Sequence, residues 1–167
     1  MIKLFRLDER LIHGQIAIKW SRHTNVDHIV VANDAAAGSA IIQKSLMMAA
    51  PGNIKTAIKS VDEAISLLND PRCDAFSILL LVKNARDMNK VLQSAKGIQK
   101  INIGNYGRVE PENVGYKRKS YGRNLYLDET EVPEFRKIVA KAEELQIECI
   151  YQTTPEETAE SLKKLLG

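Results

Sequence analysis

The sequence predicts a single α/β domain over residues 1–167, built as three layers with a mostly parallel central sheet of about seven strands flanked by helices. Three observations carry this. Short apolar runs alternate with longer, helically periodic stretches from end to end. Residues 76–82 form a nearly continuous apolar run, as expected of a strand covered on both faces. Capping and stop signals fall at the junctions, with no linker, repeat or low-complexity tract between them.

Ile2–Leu7 reads as the first strand, followed by a loop over residues 8–12 and an apolar-periodic helix over about 13–21. His28–Ala32 is the second strand. Asn33-Asp34 offers turn and cap residues, and a helix over about 39–50 is stopped by Pro51-Gly52. Residues 54–59 make a third strand. Ser60 and Glu63 then form a capping box for a helix that ends near Asn69-Asp70-Pro71. After the central strand come a helix over 84–95, a short strand over 99–103 and the turn-rich Gly104-Asn105-Tyr106-Gly107-Arg108. Residues 109–123 look polar and irregular. Strand character resumes at 124–127, the stretch 128–131 caps a helix reaching about Leu145, and residues 147–152 are expected to be the last strand. Thr154-Pro155-Glu156-Glu157 reads as the start of a final helix closing at Leu166.

Composition narrows the function. Hydrophobic residues make up 44% and charged residues 27% of 167 residues, the balance of a globular chain able to enclose a core without disulfides. Against 21 Asp and Glu, 24 Lys and Arg leave a net charge of +3, too mild for a nucleic-acid footprint. Cys73 and Cys149 are far apart and read as reduced thiols. No stretch approaches the roughly 20 apolar residues of a membrane span, and no signal peptide is evident, so a cytoplasmic protein is expected.

In such folds ligands bind beyond the C-terminal ends of the strands. That rule nominates residues 8–14, 33–36 and 104–108. Within the first, His13 stands out, because neutral imidazole is nucleophilic near neutral pH and its N–P bond keeps a high transfer potential. Arg6 and Arg10 supply guanidinium forks that match phosphate oxygens, and Gly14 allows close backbone approach at a helix N-terminus. Asp8 either orients the imidazole or caps the helix. Asn33 and Asp34 divide between capping and lining the site. Gly104 and Asn105 divide between a phosphate-holding loop and a plain turn. His23 and His28 show no metal spacing with His13, so no metal or other cofactor is expected. Trp20 reads as a core anchor.

The run Arg6-Leu-Asp8-Glu-Arg10-Leu-Ile-His13-Gly14-Gln15, then Trp20, then Val30-Val-Ala-Asn33-Asp34 and Ala50-Pro51, resembles the IIB component of the mannose/fructose/sorbose family of bacterial sugar phosphotransferase systems. The strand order, the Gly104-Asn105 turn and the length agree along nearly the whole chain. The resemblance implies that His13 accepts a phosphoryl group at Nδ1 from the IIA component and passes it to a sugar entering through the membrane components IIC and IID. It implies peripheral contact with that membrane complex without insertion. Arg10 would steady the phosphoryl oxygens, and Asp8 would orient the imidazole. Glu9 departs from a frequent aspartate, and Ser39 stands where an acidic residue is common.

A dinucleotide-binding enzyme needs a glycine-rich turn after the first strand, where this chain has Asp-Glu-Arg-Leu-Ile-His. A receiver domain needs an aspartate after its third strand, and residues 55–59 offer none. A regulatory or binding relative without catalysis is the remaining alternative; the intact histidine and arginine speak against it.

Overall fold

The computed structural model describes residues 1–167. Its elements are β1 (Ile2–Leu7), α1 (Gly14–Thr24), β2 (His28–Ala32), α2 (Asp34–Ala37), α3 (Ala40–Ala49), β3 (Lys55–Lys59), α4 (Val61–Leu68) and a 3-10 turn (Pro71–Ala75). There follow β4 (Ile78–Val82), α5 (Ala85–Ser94), β5 (Lys100–Ile103), β6 (Lys119–Gly122), β7 (Leu125–Leu127), α6 (Val132–Leu145), β8 (Glu148–Tyr151), β9 (Glu160–Ser161) and α7 (Leu162–Leu166).

Seven strands form one sheet in the order β3-β2-β4-β1-β5-β8-β9. All pairs are parallel except the last, β8 with β9. The predicted α/β class and three-layer plan are borne out. β4 sits centrally between β1 and β2, and its sequence Ile-Leu-Leu-Leu-Val is buried throughout because helices cover both faces.

The two-residue period of the strands sorts the core into two. Phe5, Leu7, Val30, Leu80 and Val82 point to one side and pack with residues of α4, α5, α6 and α7. Leu4, Ile29, Val31, Leu79 and Leu81 point to the other and pack with Ala17 and Trp20 of α1, Ala36 of α2 and Leu46 of α3. Arg6 shares the second face with Leu4 and lies under the Trp20 ring, its guanidinium carbon 5.2 Å from the ring centroid. No helix is long and apolar enough to cross a membrane.

Three local expectations are corrected. Leu125–Leu127 is a strand as expected, but it pairs antiparallel in a separate two-stranded hairpin with Lys119–Gly122, a strand that lies inside the stretch expected to be irregular. The seventh strand of the main sheet is instead β9, beyond what was expected to be the last strand. Residues 154–157 do not start a helix: Gln152 Nε2 donates to the carbonyls of Pro155 (3.3 Å) and Glu157 (2.8 Å), and the folded-back chain pairs with β8. The helix begins at Leu162, with Ser161 as its cap.

Candidate functional site

Parallel strands bring their C-terminal ends to one edge, and β1 delivers the loop of residues 8–13 between the ends of β4 and β5, where Leu7 pairs with Val82 and Ile103. The loop turns tightly: Leu11 N donates to Asp8 O at 2.9 Å, and Leu11 takes a left-handed φ of 56°. Such a conformation costs a bulky residue on the order of 1 kcal/mol. Burial of Leu11 and Ile12 in the core beside α1 holds it in place.

Asp8 is the centre of the arrangement. Its side chain is fully buried, and Oδ2 accepts from His13 Nε2 at 3.0 Å, from Arg6 Nη2 at 2.9 Å and from Asn105 Nδ2 at 3.0 Å. Oδ1 accepts from the backbone of Arg10 at 3.0 Å. Burial alone would raise its pKa, but the hydrogen bond from His13 and the charge of Arg6 outweigh that and hold the carboxyl at about 2. An ionised carboxylate can only accept, so the contact selects the tautomer of the neutral imidazole in which Nε2 of His13 carries the proton and Nδ1 the lone pair.

His13 is the N-cap of α1, yet its side chain turns to Asp8 and makes no cap to the helix amides. The first turn of α1 carries no acidic residue. By contrast α2, α3, α4, α5 and α7 are each capped by a side-chain oxygen, from Asn33, Ser39, Ser60, Asn84 and Ser161. The free amides and positive end of α1 therefore face outward beside His13. Gly14 opens the helix at φ 47°, in the left-handed region that glycine tolerates without a Cβ penalty. The Arg10 side chain is exposed and makes no hydrogen bond within the protein, which leaves its fork available to an anion.

Arg6 is placed differently from expectation. It is 1% exposed, and its donors are spent internally: Nη1 on Asn102 Oδ1 and the Gln152 carbonyl, Nη2 on Asp8 and the Thr153 carbonyl. It does not reach the surface to hold phosphoryl oxygens; it neutralises Asp8 from behind. Gly104 is part of this support, since a β-carbon there would stand 2.5 Å from Arg6 Cζ. Asn105 reaches the site. Asn33 and Asp34 do not: Asn33 Oδ1 caps α2 at 2.9 Å and Asp34 Oδ1 accepts from Val61 N at 2.9 Å, on the far side of β4 from the His13 loop.

Glu9 was not expected to matter. Its buried carboxylate accepts from the amides of Gly107 (3.1 Å), Arg108 (3.0 Å) and Glu110 (3.0 Å), pinning the loop that carries Asn105. Arg118 braces the same loop, donating to the carbonyls of Gly107 and Glu110 and pairing with Glu131 at 2.9 Å. Acidic Glu9 beside basic Arg10 in a loop gives no signal of its partners, which lie about a hundred residues away and meet it only through the β1–β5 pairing.

Residues 2–166 match the family described as PTS system sorbose subfamily IIB component. A probable phosphotransferase enzyme IIB component of Streptococcus pyogenes serotype M6 is 32% identical over the full length of both chains. The mannose-specific EIIAB component of Escherichia coli K12 is 28% identical over 88% of this chain and 44% of its own length. The crystal structure of the IIBSor domain of the sorbose permease from Klebsiella pneumoniae superposes with a TM-score of 0.85 at 23% identity, over 99% of this chain and 96% of that one.

Proposed function

The chain belongs to the sorbose subfamily of IIB components of the sugar phosphotransferase systems, and from that premise we propose that it carries a phosphoryl group on His13 Nδ1. The donor is the phosphohistidine of a IIA component. The acceptor is a sugar hydroxyl presented by the membrane components IIC and IID, with the protein working in the cytoplasm and docking at the inner face of the membrane without inserting.

The observation that carries this reading is the 3.0 Å contact between His13 Nε2 and Asp8 Oδ2. It supports the reading in which the inner nitrogen holds the proton and the outer one is the nucleophile. In the first transfer the Nδ1 lone pair forms the new N–P bond while the donor's N–P bond breaks and its electron pair returns to the donor imidazole. No proton need move at Nδ1. The positive charge that develops on His13 is met by Asp8, whose own charge is held by Arg6 and Asn105. The three equatorial oxygens of the phosphoryl group lie toward Arg10 and the uncapped amides of α1, which stabilise spread negative charge without reorganising. In the second transfer the sugar hydroxyl oxygen attacks phosphorus and its proton passes to solvent, the bond to Nδ1 breaks with its electron pair returning to the ring, and His13 is again the neutral, Nε2-protonated imidazole.

The test is phosphoryl transfer from phosphoenolpyruvate through the general phosphotransferase proteins and a cognate IIA. The wild-type protein should gain an acid-labile, base-stable phosphate, and His13→Ala should gain none. Equal labelling of the variant, or no labelling of wild type, would overturn the proposal.

A further inference from the structure

We propose that the loop of residues 109–118 docks on an anionic lipid surface. The chain enters it from the C-terminal end of β5 by way of Asn105, which bonds Asp8, and leaves it into β6. The loop therefore stands on the edge of the sheet that carries His13.

The loop has a fixed shape. The nearly buried Arg118 donates to the carbonyls of Gly107, Glu110 and Pro111 at 3.2, 2.6 and 3.1 Å and pairs with Glu131. Asn113 Nδ2 donates to Asp128 Oδ2 at 3.1 Å and to Thr130 Oγ1 at 3.0 Å, and Tyr116 N donates to Asn113 O at 3.1 Å. These bonds close the loop on itself as a compact surface unit. What it presents to water is apolar: Val114 is 97% exposed, Val109 61% and Tyr116 39%. Apolar side chains gathered on a braced frame cannot fold back, and such a patch marks an interaction surface.

Charge identifies what it contacts. From Asn113 to Leu127 the chain carries Lys117, Arg118, Lys119 and Arg123 and no carboxylate. Arg118 is spent on the frame, but Lys117, Lys119 and Arg123 are exposed and in no ion pair. Arg108 joins them, with Nη2 on the Arg123 carbonyl at 3.3 Å. Of the nearby acids, Glu110 is held by Lys83 at 2.8 Å and Glu131 by Arg118, which leaves Glu112 and Glu129 against four cations. Each lysine or arginine brought to an anionic leaflet strengthens binding about fivefold.

A protein partner fits this surface less well, because lysine is depleted from the cores of protein interfaces and Lys117 follows directly on the apolar tip. At a lipid surface the same order is favourable. Val114 and Tyr116 reach the level of the headgroups, and the lysine stems lie along them with their ammonium groups at the phosphates. Docking through this loop turns the edge with His13 toward the membrane. That consequence rests on the proposed function; the binding itself does not.

The experiment is flotation of the full chain with vesicles of phosphatidylcholine alone or with about one-third phosphatidylglycerol, and with soluble polyglutamate as a purely anionic probe. Wild type should partition onto the anionic vesicles at about millimolar lipid, lose that binding as salt is raised to about 0.5 M, and ignore the neutral ones. Lys117→Gln with Lys119→Gln should weaken partitioning by about twenty-five-fold, and Val114→Ser with Tyr116→Ser by about fivefold. His13→Ala should partition as wild type does, and the two-lysine variant should still be phosphorylated in solution, so this test and that of His13 fail separately. No partitioning of wild type, equal binding to neutral vesicles, or undiminished binding of either double variant would overturn the proposal. Polyglutamate bound as tightly as vesicles, with the Val114 and Tyr116 variant unaffected, or loss of phosphorylation in the two-lysine variant without lipid, would assign the loop to an acidic protein and overturn it equally.

Discussion

Gly104 lies flat against the guanidinium of Arg6, so close that an added β-carbon would stand 2.5 Å from Arg6 Cζ. Because Arg6 is fixed by Asn102, Gln152, Thr153 and Asp8, it cannot step aside. Gly104→Ala should therefore destabilise the protein by about 2 kcal/mol, as overpacking of a filled interior does, and displace Asp8 from His13. Gly14→Ala is the control: nothing lies within 4 Å of its β-carbon position, so its cost is limited to backbone strain of about 1 kcal/mol at φ 47°. Urea midpoints of the two variants check this, and equal midpoints would contradict it.

Asp8→Asn keeps the shape of the side chain but removes the charge that opposes Arg6 and meets the developing charge on His13. A buried arginine without its counter-ion costs about 3 kcal/mol. Rapid-quench measurement of transfer to His13 should show a rate lowered by about a hundredfold or more, the scale of a lost electrostatic contact in a water-excluded site. An unchanged rate with lowered stability would assign Asp8 to structure alone.

The acid side of the stability curve carries the same residue. With its folded-state carboxyl at about 2 against an ordinary 3.8, Asp8 contributes stability that is full above the unfolded value and is lost as pH falls through the folded one. Wild type should lose about 2 kcal/mol relative to Asp8→Asn between about pH 4 and about pH 2. Unfolding midpoints taken across that window measure the difference.

Long-range 1H–15N correlation spectra report which histidine nitrogen carries a proton. Nε2 of His13 should be protonated before phosphorylation, and phosphorus should appear on Nδ1 afterwards. Phosphorus on Nε2 would mean that the Asp8 contact breaks during transfer.

Glu9→Ala should free the amides of Gly107, Arg108 and Glu110, which lose their shared acceptor. Each charge-assisted bond is worth about 2 kcal/mol, so protection of these amides against hydrogen exchange should fall well below that of the β4 core. Transfer should also slow, because Asn105 rides on the same loop and holds Asp8.

Much of this molecule follows from local pattern. The apolar run of β4, the period of α5 and the capping residues Asn33, Ser39, Ser60 and Asn84 act within a few residues of themselves, so the layers and most element boundaries could be read in order along the chain. His13, Arg10 and Gly14 share one short loop, and their grouping was legible for the same reason. The β6–β7 hairpin, the fold-back into β9 and the burial of Arg6 were not. Each depends on partners distant in sequence: Tyr106 beside Leu125, Gln152 turning the chain, and the carbonyls of Gln152 and Thr153 receiving Arg6.

The sequence by itself determined that there is a histidine at the end of the first strand with an aspartate and arginines beside it. Only the tertiary structure decided which arginine faces out. β1 alternates its side chains, so Arg6 is turned inward under Trp20 and spends its charge on Asp8, while Arg10, past the turn, is left exposed. That division needs the β1–β5 and β5–β8 pairings to bring Asn102, Asn105, Gln152 and Thr153 around one guanidinium and one carboxylate. Charge can be buried there because every donor finds an acceptor, a condition set by chain segments that are neighbours in space and strangers in sequence.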